Sequence, residues 1–116
     1  MADTRIGVLG LGYVGLPLAL AFSRLHTTIG FDVDESRVAG LKSGSDVTGE
    51  VDAAQLQASE LTLTANPADL AVCSVYIVTV PTPIDADRRP DLHPLGAASG
   101  TIGELLKPGD IVIYES

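Results

Sequence analysis

The sequence predicts an α/β fold in which a parallel β-sheet is covered by helices on both faces. Two observations carry this prediction: short β-branched and apolar runs alternate with segments of helical spacing, and a glycine-rich turn joins the first run to the first helical segment. Such alternation is typical of β-α-β units, because parallel strands need a crossover connection between them. With 116 residues, 46% of them hydrophobic, the chain is expected to form one globular domain with its own core.

Five strands are predicted in chain order. Their expected bounds are Arg5–Leu9, Thr28–Asp32, Leu61–Thr64, Ser74–Val80 and Asp110–Tyr114. The fourth strand is the richest in β-branched and aromatic residues, which indicates a central position in the sheet.

Helical spacing fills the intervals between these strands. The predicted helices are Gly12–Leu25, Asp34–Ser43, Asp52–Ala58 and Leu92–Leu106, with a short helical turn from Asn66 to Leu70. Asp34 or Ser36 is expected to cap the second helix, and Asp91 the last one. The apolar face of the first helix is predicted to consist of Val14, Leu18, Ala21, Phe22 and Leu25, and that of the last helix of Leu95, Ala98, Ile102 and Leu105.

The turn after the first strand reads Gly10-Leu11-Gly12-Tyr13-Val14-Gly15. In this spacing Gly10 permits a tight turn, Gly12 lets the backbone approach a pyrophosphate, and Gly15 lets the helix pack close to the sheet. The unpaired N–H groups of the first helical turn, those of Tyr13 and Val14 included, are then expected to face the phosphate charge. The motif lies between a predicted strand and a predicted helix, as in the dinucleotide-binding fingerprint of Rossmann-type folds.

An acidic residue at the end of the second predicted strand selects the cofactor. Asp32 lies 22 positions after Gly10, where the fingerprint places the carboxylate that accepts the ribose hydroxyls of adenosine. The same carboxylate would repel the 2′-phosphate of NADP. The sequence therefore predicts NAD as the cofactor.

Composition and charge exclude several classes of function. Seven basic residues against fifteen acidic ones give a net charge of −8, and no basic stripe is present, so neither nucleic acid nor a membrane surface is expected as a partner. The chain lacks the apolar stretch of a signal peptide or a membrane span. Its single cysteine, Cys73, fits a reducing compartment. A cytoplasmic protein is expected.

Neither the cysteine nor the two histidines form a chemical site by sequence. Cys73 precedes a buried strand with no histidine or lysine nearby in sequence, which favours a buried structural thiol over a nucleophile. His26 and His93 have no ligand-type neighbours at metal spacing, so surface or capping positions are expected for both. No metal site and no catalytic residue are predicted within the chain.

Four separated motifs resemble the UDP-glucose/GDP-mannose dehydrogenases, which oxidise C6 of nucleotide sugars. These are Gly10–Ala19, Phe31–Val38, Val80–Pro83 and Gly109–Ser116. Three further segments are similar to the branch that acts on UDP-N-acetylhexosamines for capsule and O-antigen sugars. They are Asp46–Val51, the Pro90–Leu92 turn and Tyr114–Ser116.

The resemblance implies a Rossmann-type, doubly wound sheet of order 3-2-1-4-5 and adds cofactor-binding residues. Leu11 belongs to the glycine turn, Arg37 would border or stack on the adenine, and Val80, Pro81 and Thr82 would meet the nicotinamide ribose. Ser116, after the fifth strand, is similarly placed. A solvated helix arginine and a plain turn threonine are the alternatives for Arg37 and Thr82.

The resemblance also implies that the chemistry lies elsewhere. In the family, NAD takes hydride twice from C6, and the cysteine, lysine and acid that serve this reaction lie beyond the first Rossmann half. Residues 1–116 are thus expected to be the N-terminal NAD-binding domain of a truncated enzyme that is inactive alone. The missing half would bind the nucleotide sugar, a UDP-N-acetylhexosamine or UDP-glucose, and the full-length enzyme would be a homodimer. A regulatory NAD-sensing module of a transport or channel protein is the open alternative.

Overall fold

A five-stranded, all-parallel sheet with strand order β3-β2-β1-β4-β5 forms the centre of the protein. The computed structural model describes residues 4–46, 49, 51–81, 83–84 and 86–115. The strands are β1 (Arg5–Leu9), β2 (Thr27–Phe31), β3 (Thr62–Thr64), β4 (Val75–Val78) and β5 (Ile111–Tyr114). The predicted fold class and strand order are confirmed.

Four α-helices and one 3-10 turn connect the strands of the described residues. The helices are α1 (Gly15–Ser23), α2 (Glu35–Lys42), α3 (Ala53–Ala58) and α4 (His93–Leu105), and the 3-10 turn is Pro67–Val72. Asp34 caps α2, its carboxylate accepting the N–H groups of Ser36 and Arg37. Asp52 caps α3 in a reciprocal capping box with Gln55. None of the described helices is long and apolar enough to cross a membrane.

The strand register brings the carboxyl ends of the central strands to one level. Leu9 of β1 lies opposite Phe31 of β2 and Val78 of β4. The pairing continues one step further, because Gly10 N–H donates to the Phe31 carbonyl and Thr79 N–H to the Leu9 carbonyl. The glycine turn, Asp32 and the segment after β4 therefore meet at one edge of the sheet.

Two hydrophobic clusters cover the two faces of the sheet. One joins Val8 and Ile77 of the strands to Leu16 of α1 and Leu56 of α3. The other joins Phe31 and Tyr76 to Leu70 of the 3-10 turn and to Ala98 and Ile102 of α4. Leu95 and Leu105 pack against the second cluster, so the predicted apolar stripe of the last helix is confirmed.

The predicted apolar face of the first helix is wrong in part: Leu18 and Phe22 pack against the first cluster as predicted, but the other three residues do not. Val14, Ala21 and Leu25 are exposed, whereas Gly15, Leu16 and Ala19 are buried. The helix begins at Gly15 rather than Gly12, and it is apolar on nearly every side. Hydrophobic periodicity therefore does not discriminate its buried face.

The predicted cap of the last helix is displaced by one residue. Leu92 occupies the N-cap position of α4 and makes no side-chain cap bond. The Asp91 carboxylate instead accepts the N–H of His93, the first helical residue, at 3.0 Å. It also contacts the exposed His93 ring, with 2.6 Å between Oδ1 and Nδ1. The backbone hydrogen bond, and after it the ring contact, holds the pKa of Asp91 below its ordinary value.

Candidate functional site

A cavity of about 390 Å³ opens where the carboxyl ends of β1, β2 and β4 meet. Its walls are the glycine turn, the segment after β2, Val80 and Pro81 after β4, and one face of α4. In open α/β sheets this edge is where ligands bind. A groove of about 520 Å³ lies at the opposite end of the sheet, beside Arg24 and Glu60, but no glycine lines it.

Two glycines of the turn are fixed by the packing of the protein itself. Gly10 has a φ of +102°, and a Cβ there would lie 2.9 Å from the Val80 nitrogen. A Cβ on Gly15 would overlap both the Gly10 carbonyl oxygen and the Thr79 hydroxyl. These positions admit only glycine, because α1 starts directly against the turn and the end of β4.

Gly12 is different, since a Cβ there would meet no protein atom within 4 Å. Its φ is not positive either. Within the described residues no acceptor pairs with the N–H groups of Gly12, Tyr13 and Val14. An open glycine and unpaired N–H groups beside a helix N-terminus are what a bound pyrophosphate requires.

Asp32 is anchored to the glycine turn by its own carboxylate. Oδ2 accepts the N–H of Leu11 at 2.9 Å, and Oδ1 accepts the N–H of Asp34 at 2.9 Å. Each carboxylate oxygen can accept a second hydrogen bond. The group is thus held at the cavity wall with capacity left for two hydroxyl donors, and the residues present fit a dinucleotide.

Arg37 borders the cavity, but its guanidinium is hydrogen-bonded to other groups of the protein. Its Nε and Nη2 donate to the Leu11 carbonyl at 2.9 and 2.6 Å, and its Nη1 donates to Asp46 Oδ1 at 2.8 Å. The Arg37 side chain is 10% exposed and that of Asp46 is fully buried. The alternative of a solvated helix arginine is therefore wrong.

Two further predicted positions, Val80 and Pro81, line the cavity. Thr82 and Ser116, also predicted to bind the cofactor, lie outside the described residues. His26 and His93 are exposed, and the described residues contain no group of three or more potential metal ligands.

Sequence reasoning missed two residues that shape this site. The Thr79 hydroxyl bonds the Gly10 carbonyl at 2.7 Å; its only signal was a hydroxyl at the end of an apolar strand. Asp46 pairs with Arg37 across nine positions and had no chemical signal, because a buried ion pair has no fixed spacing in sequence.

Cys73 is a buried structural thiol. It directly follows the 3-10 turn and is fully buried, and burial raises its pKa to about 11. The fold brings Lys107 close although no lysine is near in sequence: Nζ donates to the Cys73 carbonyl at 3.0 Å. The positive charge of Lys107 opposes the shift but does not overcome burial, so the thiol is not activated.

We expect Cys73 to resist thiol reagents in the native protein. At pH 8 its labelling by a disulfide reagent should be at least about 100-fold slower than in denaturant, because a buried thiol reacts only after opening. The thiol ionises near its ordinary pKa of 9.0 when unfolded and near 11 when folded. The folded protein favours the protonated thiol, and the stability that this preference contributes is fully present below pH 9 and is lost as the pH rises towards 11. Rapid labelling at pH 8 without denaturant would contradict the assignment.

Comparison with known proteins identifies the family. The model of the NAD binding domain of the UDP-glucose/GDP-mannose dehydrogenase family matches residues 4–116. The chain is 58% identical over 117 residues to UDP-N-acetyl-D-glucosamine 6-dehydrogenase of Pseudomonas aeruginosa, covering 100% of this chain and 28% of that protein. It is 48% identical to protein CapL of Staphylococcus aureus, covering 98% of this chain and 27% of that protein.

A solved structure agrees with these matches. The UDP-D-ManNAc dehydrogenase of Pyrococcus horikoshii superposes with a TM-score of 0.88 at 35% identity, covering 97% of this chain and 28% of that one. The chain thus spans little more than a quarter of the length of the proteins that it matches. Its fold, its glycine turn and its relatives agree: the chain belongs to the UDP-glucose/GDP-mannose dehydrogenase family, of which it is the NAD-binding domain.

Proposed function

We propose that the cavity at the carboxyl edge of the sheet holds the adenosine diphosphate half of NAD. The N–H groups of Gly12, Tyr13 and Val14 would bind the pyrophosphate, and Asp32 would accept the adenosine ribose hydroxyls. The observation that carries this proposal is the arrangement of Asp32. Its carboxylate is fixed on the Leu11 and Asp34 amides directly beside the one glycine of the turn that has open space in front of it.

The other cofactor contacts follow from the walls of the cavity. Arg37 supports the turn through the Leu11 carbonyl, Val80 and Pro81 line the cavity, and Thr82 and Ser116 would reach the nicotinamide side. When bound, NAD supplies the hydride acceptor. The residues of this chain bind and orient it.

We further propose that the chain serves a nucleotide-sugar 6-dehydrogenase that oxidises the C6 hydroxyl of a UDP-N-acetylhexosamine, in two NAD-dependent steps, for surface polysaccharide synthesis. The names of the Pseudomonas aeruginosa and Pyrococcus horikoshii proteins support this substrate class. The sugar and the catalytic groups would belong to a further domain, and the enzyme would be a cytoplasmic homodimer. The alternative of an NAD-sensing transport module has no support, since the family and these relatives are dehydrogenases.

A chimera tests the proposed activity. This chain would replace the segment of the Pseudomonas aeruginosa enzyme that matches it, which is 58% identical over 117 residues. We expect UDP-N-acetylglucosamine to drive NADH formation, measured at 340 nm, with two NADH for each sugar oxidised.

The control is the same chimera carrying Asp32→Asn, which should need far more NAD for the same rate while its KM for the sugar changes little. A chimera that is folded and dimeric but reduces no NAD would contradict the proposal.

A further inference from the structure

A chain of hydrogen bonds links the ribose-binding position to a buried ion pair. Asp32 accepts the Leu11 N–H, and the carbonyl of the same residue accepts two donors from Arg37. Arg37 in turn donates to Asp46, whose other oxygen accepts the Val51 N–H at 2.9 Å. Asp32 and Arg37 are thus held on opposite sides of one residue, Leu11.

Arg37 is the only cation among the described residues that line the cavity. An arginine beside the adenosine ribose is the group that Rossmann-type sites use to accept the 2′-phosphate of NADP. In this chain the guanidinium donates from Nε and Nη2 to the Leu11 carbonyl and from Nη1 to Asp46. Asp46 is fully buried and is itself fixed by Val51, so it holds the guanidinium in that orientation.

The charges around the ribose position follow from this pairing. Asp46 neutralises Arg37, and the carboxylate of Asp34 is engaged in capping α2. The charges left at the cavity wall are then those of two carboxylates, Asp32 and Asp34. A 2′-hydroxyl can donate to Asp32, whereas a 2′-phosphate is repelled and, among the described residues that line the cavity, meets no cation other than the paired Arg37.

We propose that Asp46 is a specificity-determining residue for NAD over NADP, acting through Arg37. It is a positioning residue: its pairing withholds the one nearby cation from the 2′-position. The inference rests on the proposed assignment of the cavity to the adenosine half of NAD.

The test uses two small probes that differ only in the 2′-phosphate, AMP and adenosine 2′,5′-bisphosphate. Both are titrated into the ¹⁵N-labelled 116-residue chain and followed by amide chemical shifts, with spectral dispersion as the check of folding. In Asp46→Asn we expect the preference for AMP over the bisphosphate to fall about tenfold, because one unit charge near the phosphate is removed and Arg37 is released. The double variant Asp46→Asn with Arg37→Gln should return to within about twofold of the wild-type preference.

Each other outcome decides against the inference. Equal weakening of both probes in Asp46→Asn would show a purely structural role for Asp46. If the preference for AMP over the bisphosphate stays reduced in the double variant, the negative charge of Asp46 itself, and not the position of Arg37, determines that preference. If the wild-type chain binds AMP but Asp46→Asn keeps the wild-type preference for AMP over the bisphosphate, the role given to Asp46 is wrong and the cavity assignment stands. If the wild-type chain does not bind AMP at all, the cavity assignment and this inference are both wrong.

If Asp46→Asn does not fold, the double variant still tests the proposal, because it removes both charges of the buried pair and leaves neither one unpaired. A selective loss of bisphosphate affinity in the double variant, beyond about fivefold, would show that Arg37 already serves the 2′-phosphate in the wild type and would overturn the proposal.

Discussion

A chain carrying Gly15→Ala is expected to lose about 3 kcal/mol or more of its free energy of unfolding. The added methyl group would overlap the Gly10 carbonyl and the Thr79 hydroxyl. Neither group can move away easily, because the Gly10 N–H donates to the Phe31 carbonyl and the Thr79 hydroxyl donates to the Gly10 carbonyl. Helix α1 would have to move away from the sheet, which would open the cluster around Leu16. Urea unfolding followed by circular dichroism measures the effect.

Gly12→Ala is the matched control, because it adds the same methyl group three residues earlier in the same motif but into open space. Its stability should stay within about 0.5 kcal/mol of the wild type. Its affinity for NAD should nevertheless collapse, since the methyl group would occupy the place proposed for the pyrophosphate. Equal stability of Gly15→Ala and the wild type would contradict the packing described for the turn.

Asp32→Asn is expected to weaken NAD binding by about 1.5–3 kcal/mol, or roughly tenfold to 150-fold. The amide removes the charge that receives the ribose hydroxyls. It also presents an NH₂ group to one of the two backbone donors, Leu11 or Asp34, that the carboxylate now accepts. Repulsion of a 2′-phosphate should fall as well, so the preference for NAD over NADP should narrow. Calorimetry with both cofactors measures both effects.

The control for this prediction is Asp52→Asn, which makes the same change of charge at the cap of α3. Asparagine caps helices nearly as well as aspartate, so stability and NAD affinity should both stay close to the wild type. A loss of NAD affinity as large as that of Asp32→Asn would mean that overall charge, not the ribose contact, governs binding.

The sequence was sufficient for the parts of the fold that depend on local chemistry. The glycine turn, Asp32 directly after β2 and the cap residue Asp34 each have a short-range physical reason that a sequence displays directly. The sheet order was predictable from the family resemblance, and the β-α-β pattern is consistent with that order.

The features that escaped prediction depend on contacts between distant residues. The buried face of α1 is set by where the turn and β4 lie, and a uniformly apolar helix gives no indication of it. The pairing of Arg37 with Asp46, and the approach of Lys107 to Cys73, arise only when separate loops fold against each other. Arg37 lines the cavity, but its bonds to the Leu11 carbonyl could be seen only in the structure.

The most direct measurement is an amide chemical-shift titration of the ¹⁵N-labelled chain with NAD. Binding in the proposed site predicts saturable shifts concentrated at Gly10–Gly15, Asp32 and the residues after β4, with much weaker shifts for NADP. Shifts centred instead on the groove beside Arg24 and Glu60, or no shifts at millimolar NAD, would contradict the assignment of the cofactor site to the carboxyl edge of the sheet.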